Sequence, residues 1–185
     1  ALGIRPLREA ISRHYKRVHG LDIAPERIIV TAGGSAALLL TCALLVGRDD
    51  EILLTDPSYP CNRHFVSAAE GCAVLVPTTE QDRFQLSADA VRSEWGPRTR
   101  GVLLASPSNP TGTSIDPDAL RDIHRVVQMH GGITLVDEIY LGLGFDAQYG
   151  KTALALDDDI ISINSFSKYF NMTGWRLGWM VVPEL

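Results

Sequence analysis

Short apolar runs alternate with amphipathic stretches along the whole chain. In the first stretch, Pro6 to Val18, Leu7, Ile11, Tyr15 and Val18 mark one face, and Arg8, Arg13, Lys16 and Arg17 mostly mark the other. That spacing is helical, with proline suited to the first turn and Gly20 to the stop. Arg27 to Thr31 reads as a strand because IIVT is rich in β-branched residues. Ala36 to Val46 is an apolar helix with Ser35 as its N-cap and Gly47 as its stop. Further strands are predicted at Glu51 to Thr55, Ala73 to Pro77, Arg100 to Ala105, Ile133 to Val136, Asp159 to Asn164 and Leu177 to Val182. Between them lie helices at Cys61 to Glu70, from Ser87 to about Trp95, and from Asp116-Pro117 to about His130.

Buried strands alternating with helices define the fold class as α/β. The expected architecture is three-layer α/β/α, with helices on both faces of a mostly parallel, seven-stranded sheet. No internal repeat or low-complexity segment interrupts it. A length of 185 residues suits one domain.

Composition narrows the function classes. A net charge of −5, with no basic run interleaved with aromatics, argues against a nucleic-acid surface. The longest apolar run, Ala36 to Val46, is too short to span a membrane, and no signal-peptide pattern opens the chain. Cys42, Cys61 and Cys72 form no C-x-x-C pair, so neither a disulfide framework nor a zinc site is suggested, and a reducing compartment fits. His14, His19, His64, His124 and His130 show no metal-ligand spacing and read as surface or helix-end residues.

The candidate chemistry clusters just past strand ends. Ser35 follows the first strand in a Gly33-Gly34-Ser35-Ala36 turn, where free backbone N–H groups and the helix dipole can cradle a phosphate. Tyr59 sits in DPSYP, Asn109 in SPSNPTG and Asp137 at the head of DEIY, with Tyr140 three residues on. A charge directly after a buried strand needs a cationic or N–H partner. Lys168 follows the sixth strand, between Ser165 and Arg176. An amine near other cations in a dry pocket becomes a nucleophile for carbonyl groups. Gly142, Gly144 and Gly150 mark a mobile connection. Parallel strands bring such ends to one edge, so these groups describe one pocket for a flat, anionic, carbonyl-bearing molecule. Pyridoxal 5′-phosphate has these properties, and its usual partners are a lysine and an acid on the ring nitrogen.

AGGSAAL, DPSYP, SNPTG, DEIY and SFSKYFNMTGWRLGW occur in that order and together resemble the class I/II aminotransferases of the fold-type I pyridoxal-phosphate enzymes. The resemblance covers Gly33 to Trp179. It implies that Lys168 is the Schiff-base lysine and proton shuttle, and that Asp137 pairs with the pyridine nitrogen. Asn109 and Tyr140 would bond the ring's phenolic oxygen, with Asn109 also near the substrate carboxylate. Tyr59 would stack on the ring, while Gly34, Ser35, Ala36, Ser165 and Arg176 would hold the phosphate. It further implies amino-acid and 2-oxo-acid substrates, a homodimer, a cytoplasmic location and no metal. On that reading residues 1–185 are the cofactor-binding large domain of a longer protein, without its small domain and both native termini. A related pyridoxal-phosphate lyase or decarboxylase, or the aminotransferase-like domain of a transcription regulator, are the alternatives.

Overall fold

The computed structural model describes residues 2–184. Helix α1 spans Arg5–His19, with proline in its first turn and Gly20 in the left-handed conformation at its end. The remaining elements are β1 Ile28–Thr31, α2 Gly34–Leu45, β2 Glu51–Asp56, α3 Cys61–Ala68, β3 Cys72–Pro77 and α4 Ala88–Glu94. They continue with β4 Thr99–Ala105, α5 Pro117–Met129, β5 Ile133–Asp137, β6 Ile161–Ser165 and β7 Gly178–Val181. Ser87 caps α4 through the Ala90 N–H, and Asp116 caps α5 through Asp118 and Ala119.

The seven strands form one sheet in the order β1-β7-β6-β5-β4-β2-β3. Strands β2 to β6 pair in parallel, while β7 runs antiparallel to both β6 and β1. Two antiparallel pairings in succession leave β1 parallel to β6, so β7 is the one reversed strand. Alternation along each strand feeds two faces. Ile52, Leu54, Leu103, Leu135, Ile161 and Ile163 join a core with Ala37, Leu38 and Cys42 of α2 and Val66 of α3. Leu53, Val102, Leu104, Val136 and Ile160 turn the other way, onto α4 and α5. Beyond them on that same face, α1 packs Ile11 and Tyr15 against Ile28, Trp179 and Val181. Each fully buried Leu or Ile here contributes about 1.5–3 kcal/mol, which is why the strands read as continuous apolar runs.

Two local readings are corrected. Helix α2 starts at Gly34 with Gly33 as its N-cap, at φ 93° and ψ 170°, and no side chain caps it. Glycine alone adopts that backbone cheaply, so the chain enters the helix early and Ser35 falls inside the first turn instead of capping it. His124 is buried rather than exposed, because it shares the inner face of α5 with Leu120, Ile123 and Val127. Its Nδ1 meets Thr134 Oγ1 of β5 at 2.9 Å.

Candidate active site

The carboxyl ends of six parallel strands and the amino end of the reversed strand β7 meet along one sheet edge. The edge is the usual ligand crevice of such a sheet. A cavity of about 220 Å³ opens there. Gly34, Ser35, Tyr59, Asn109, Asp137, Tyr140, Ser165, Lys168 and Arg176 all line it. Ala36 does not: each helical residue rotates by about 100°, so the position after Ser35 has left the cavity face.

The anion-facing side is built on glycine. The hydrogen-bond ladder of α2 begins with the Ala37 N–H on Gly33 O at 3.3 Å, which leaves the N–H groups of Gly34, Ser35 and Ala36 for an outside acceptor. A Cβ on Gly178 of β7 would lie 2.7 Å from Gly33 C, 2.8 Å from Asn164 O and 2.9 Å from Gly34 N. The turn therefore rests directly on the backbone of β7. Arg176 precedes β7 in a left-handed conformation, φ 50° and ψ 53°. Its Nη1 donates to Thr173 O at 2.9 Å, and its Nη2 lies 2.6 Å from where a Cβ of Gly33 would stand. The guanidinium is thus laid across the glycine turn, beside the free N–H groups.

Lys168 rides on a loop pinned at both flanks. Phe166 N–H bonds Leu177 O at 3.0 Å, Met172 N–H bonds Phe166 O at 3.0 Å, and Thr173 Oγ1 donates to Ser167 O at 2.7 Å. Behind the loop, Phe166 packs on Trp179 with ring centroids 4.8 Å apart, and on Phe170 at 5.1 Å. The lysine side chain is exposed, with Nζ 5.6 Å from the centre of the Tyr140 ring. The dry pocket expected around this amine is not formed by the residues described here. The cavity mouth stands open above it.

Asp137 is the opposite case, only 6% exposed. It accepts one hydrogen bond, from the Ile139 N–H at 3.2 Å, and among the described residues no cation pairs with it. Burial first, and repulsion from Glu138 second, push its carboxyl up to about 7, against the opposing Ile139 N–H bond. Asn109 is held by a cross-braced loop. Ser108 N–H bonds Thr113 O and Gly112 N–H bonds Ser108 O, both at 2.8 Å, while the buried Gln85 side chain donates to Thr113 O at 3.0 Å. Tyr59 is half-buried, and its neighbour Cys61 pushes its phenol up.

Ser167, Thr173 and Ile139 also line the cavity and were not among the candidates. Ile139 lies in the turn just past β5, and the available signal was its nearness in sequence to Asp137, to which its N–H is bonded. Thr173 gave no signal, because its place depends on how the loop folds back onto Ser167.

Fold and cavity define a class first: an α/β protein whose sheet edge suits a phosphate-bearing carbonyl cofactor. The chain belongs to the class I and II aminotransferase family, whose model matches residues 2–184, and that family depends on pyridoxal phosphate. It is 40% identical over 187 residues to a valine–pyruvate aminotransferase of Mycobacterium tuberculosis, covering all of this chain and 48% of that protein. It is 32% identical over 182 residues to a probable aspartate/prephenate aminotransferase of Thermus aquaticus, covering 98% of this chain and 48% of that one. The crystal structure of an aminotransferase from M. tuberculosis superposes with a TM-score of 0.93 at 39% identity, covering 98% of this chain and 47% of that chain. This chain therefore spans about half the length of the curated relatives it matches.

Proposed function

We propose that this chain is the cofactor-binding large domain of an aminotransferase that moves an amino group between an amino acid and a 2-oxo acid. The observation that carries the reading is one cavity holding three complementary groups. Asp137 is buried with no cation paired to it among the described residues, Arg176 lies across the open N-terminus of α2, and Lys168 stands at the mouth. A protonated ring nitrogen supplies the cation that Asp137 lacks. A phosphate supplies the acceptor for the α2 N–H groups, Ser35, Ser165 and Arg176. Ala36 contributes through its backbone N–H alone.

Bound pyridoxal phosphate supplies an aldehyde for a lysine amine and a ring that draws electrons from the reacting carbon. Lys168 Nζ would anchor the cofactor and take the proton from the substrate α-carbon. Asp137 would hold the proton on the ring nitrogen. Asn109 and Tyr140 would hydrogen-bond the phenolic oxygen, and Tyr59 would stack on the ring. Leu39, Leu40 and Leu44 leave an apolar strip of α2 exposed, 44%, 53% and 82% respectively, which supports a homodimer. Three free cysteines support a cytoplasmic location.

The test uses the full-length protein with a panel of amino acids. Lys168→Ala is expected to lose the cofactor's lysine-dependent visible absorption band and nearly all release of 2-oxo acid. A variant that keeps both overturns the assignment, and a wild type that releases other products from the panel overturns transamination.

A further inference from the structure

Glu138 follows Asp137 directly, and alternation along β5 sends it to the opposite face of the sheet, toward Val136, Ala153 and Ile160. It is 1% exposed, one of the most buried side chains of the protein. Three groups donate to it. Thr152 Oγ1 reaches Oε2 at 2.8 Å, Ser162 Oγ reaches Oε2 at 2.6 Å, and the Ala153 N–H reaches Oε1 at 2.6 Å. None of the three is a cation. Its own N–H bonds Ile163 O of β6 at 2.8 Å.

The sequence positions of these partners define a closed loop. The chain leaves the sheet at Glu138, makes an exposed excursion through Leu143 to Gly150, and returns at Thr152 and Ala153. Glu138 therefore ties the return end of the excursion to its own departure end, and ties both to β6. Ile139 and Tyr140, the first two residues of that excursion, line the cavity that holds Asp137 and Lys168. Besides the clasp, the segment is held by the buried Leu141 and by Tyr149 against Arg83, whose guanidinium lies 4.4 Å from the ring centre, while its middle is loose: Leu143 is 48% exposed and Phe145 fully exposed. β6 itself leads straight into the Lys168 loop.

We propose that Glu138 is a positioning residue: by hydrogen bonding it clasps the 139–152 excursion to β6, and so sets Ile139 and Tyr140 against the cofactor cavity. The inference rests on the cofactor reading for its consequence, but the clasp itself can be measured without cofactor.

The experiment compares wild type, Glu138→Ala and Glu138→Gln in the full-length protein. Hydrogen exchange over 139–152 is followed in cofactor-free protein, and pyridoxal phosphate affinity and the visible spectrum are followed after its addition. Alanine leaves the Thr152 and Ser162 hydroxyls and the Ala153 N–H without their acceptor. Exchange over 139–152 is expected to accelerate about tenfold or more, and cofactor affinity to fall about tenfold. Glutamine keeps an acceptor for the Ala153 N–H, and its amide can donate to hydroxyls that turn to accept it. It is expected to restore exchange and affinity to within about threefold of wild type. Unchanged exchange in the alanine variant overturns the clasp, and so does a glutamine variant that behaves like alanine. If Glu138→Ala fails to fold, Ser162→Ala and Thr152→Val each remove one of the three bonds, and wild-type exchange in both overturns the proposal. A wild type that binds no pyridoxal phosphate refutes the cofactor reading while the exchange comparison still decides the clasp.

Discussion

Asp137→Asn should stabilise the cofactor-free protein while weakening its hold on the cofactor, and the two effects have separate pH signatures. In the unfolded chain the carboxyl releases its proton near its ordinary value of 3.8; in the folded protein burial raises that value to about 7. Between those limits unfolding releases a proton that the native state retains. Rising pH therefore favours the unfolded state across this window, and above it the penalty stays constant. A gap of about three pH units at about 1.4 kcal/mol each sets a ceiling of about 4 kcal/mol. Asparagine keeps the shape and the bond from the Ile139 N–H but never ionises, so it escapes the penalty. The stability difference, variant minus wild type, should be near zero at pH 4 and approach about 4 kcal/mol at pH 8. Glu138 is present in both proteins, and its repulsion of Asp137 is part of the raised value that asparagine escapes. Urea unfolding of cofactor-free, full-length protein between pH 4 and 8 reads it out. Added pyridoxal phosphate should reverse the ranking at pH 8, because only the wild type offers a carboxylate to a ring cation. A difference that is flat with pH, or that shrinks as pH rises, refutes the argument.

Gly178→Ala places a methyl group against Gly33, Asn164 and Gly34 backbone atoms at 2.7–2.9 Å, none of which can rotate away. It should destabilise the protein by at least about 1–3 kcal/mol in thermal or urea unfolding and weaken the phosphate side of the site. Wild-type stability with wild-type cofactor affinity would show that the glycine turn does not rest on β7. Arg176→Lys keeps the charge but loses the planar fork. Cofactor affinity, followed by absorbance, should fall roughly tenfold, and an unchanged affinity removes Arg176 from the phosphate grip.

Most of the sheet was legible because parallel strands buried on both faces must be apolar along their whole length. EILLT and GVLLA carry that signal, IIVT of the edge strand β1 is read from its β-branched residues, and the turn residues between them carry the boundaries. What was not legible depends on contacts between distant segments. The Gly33 backbone sets the start of α2, and its shape answers to Gly178, some 145 positions later. His124 looked like a surface residue because a lone histidine on a helix gives no sign that Thr134 waits behind it. The exposure of Lys168 could not be read either, since a lysine past a strand end carries the same letters in a dry pocket and at an open mouth. Glu138 had a signal that went unused: a second carboxylate directly after a buried strand must also find donors.

The direction of β7 explains how Arg176 joins a site whose other groups follow strands. Ser35, Tyr59, Asn109, Asp137 and Lys168 follow strands, and Arg176 comes before one. In an all-parallel sheet a residue before a strand lies at the far edge, roughly a strand length from the cavity: four residues at about 3.3 Å each, near 13 Å. Because β7 alone is reversed, its amino end lies among the carboxyl ends of β1 and β6, and Arg176 comes to rest over Gly33. The reversal also explains how a loop of only twelve residues, from Phe166 to Leu177, joins two adjacent strands without a crossover helix. The same short return holds Lys168 and Arg176 at one edge, with the Phe166 N–H bonded to Leu177 O at the base of the loop. Amine and guanidinium are thus fixed by a single local connection, while Asp137 reaches them across the β5–β6 ladder. Strand order and direction, more than any one motif, place the three charged groups of the cavity together.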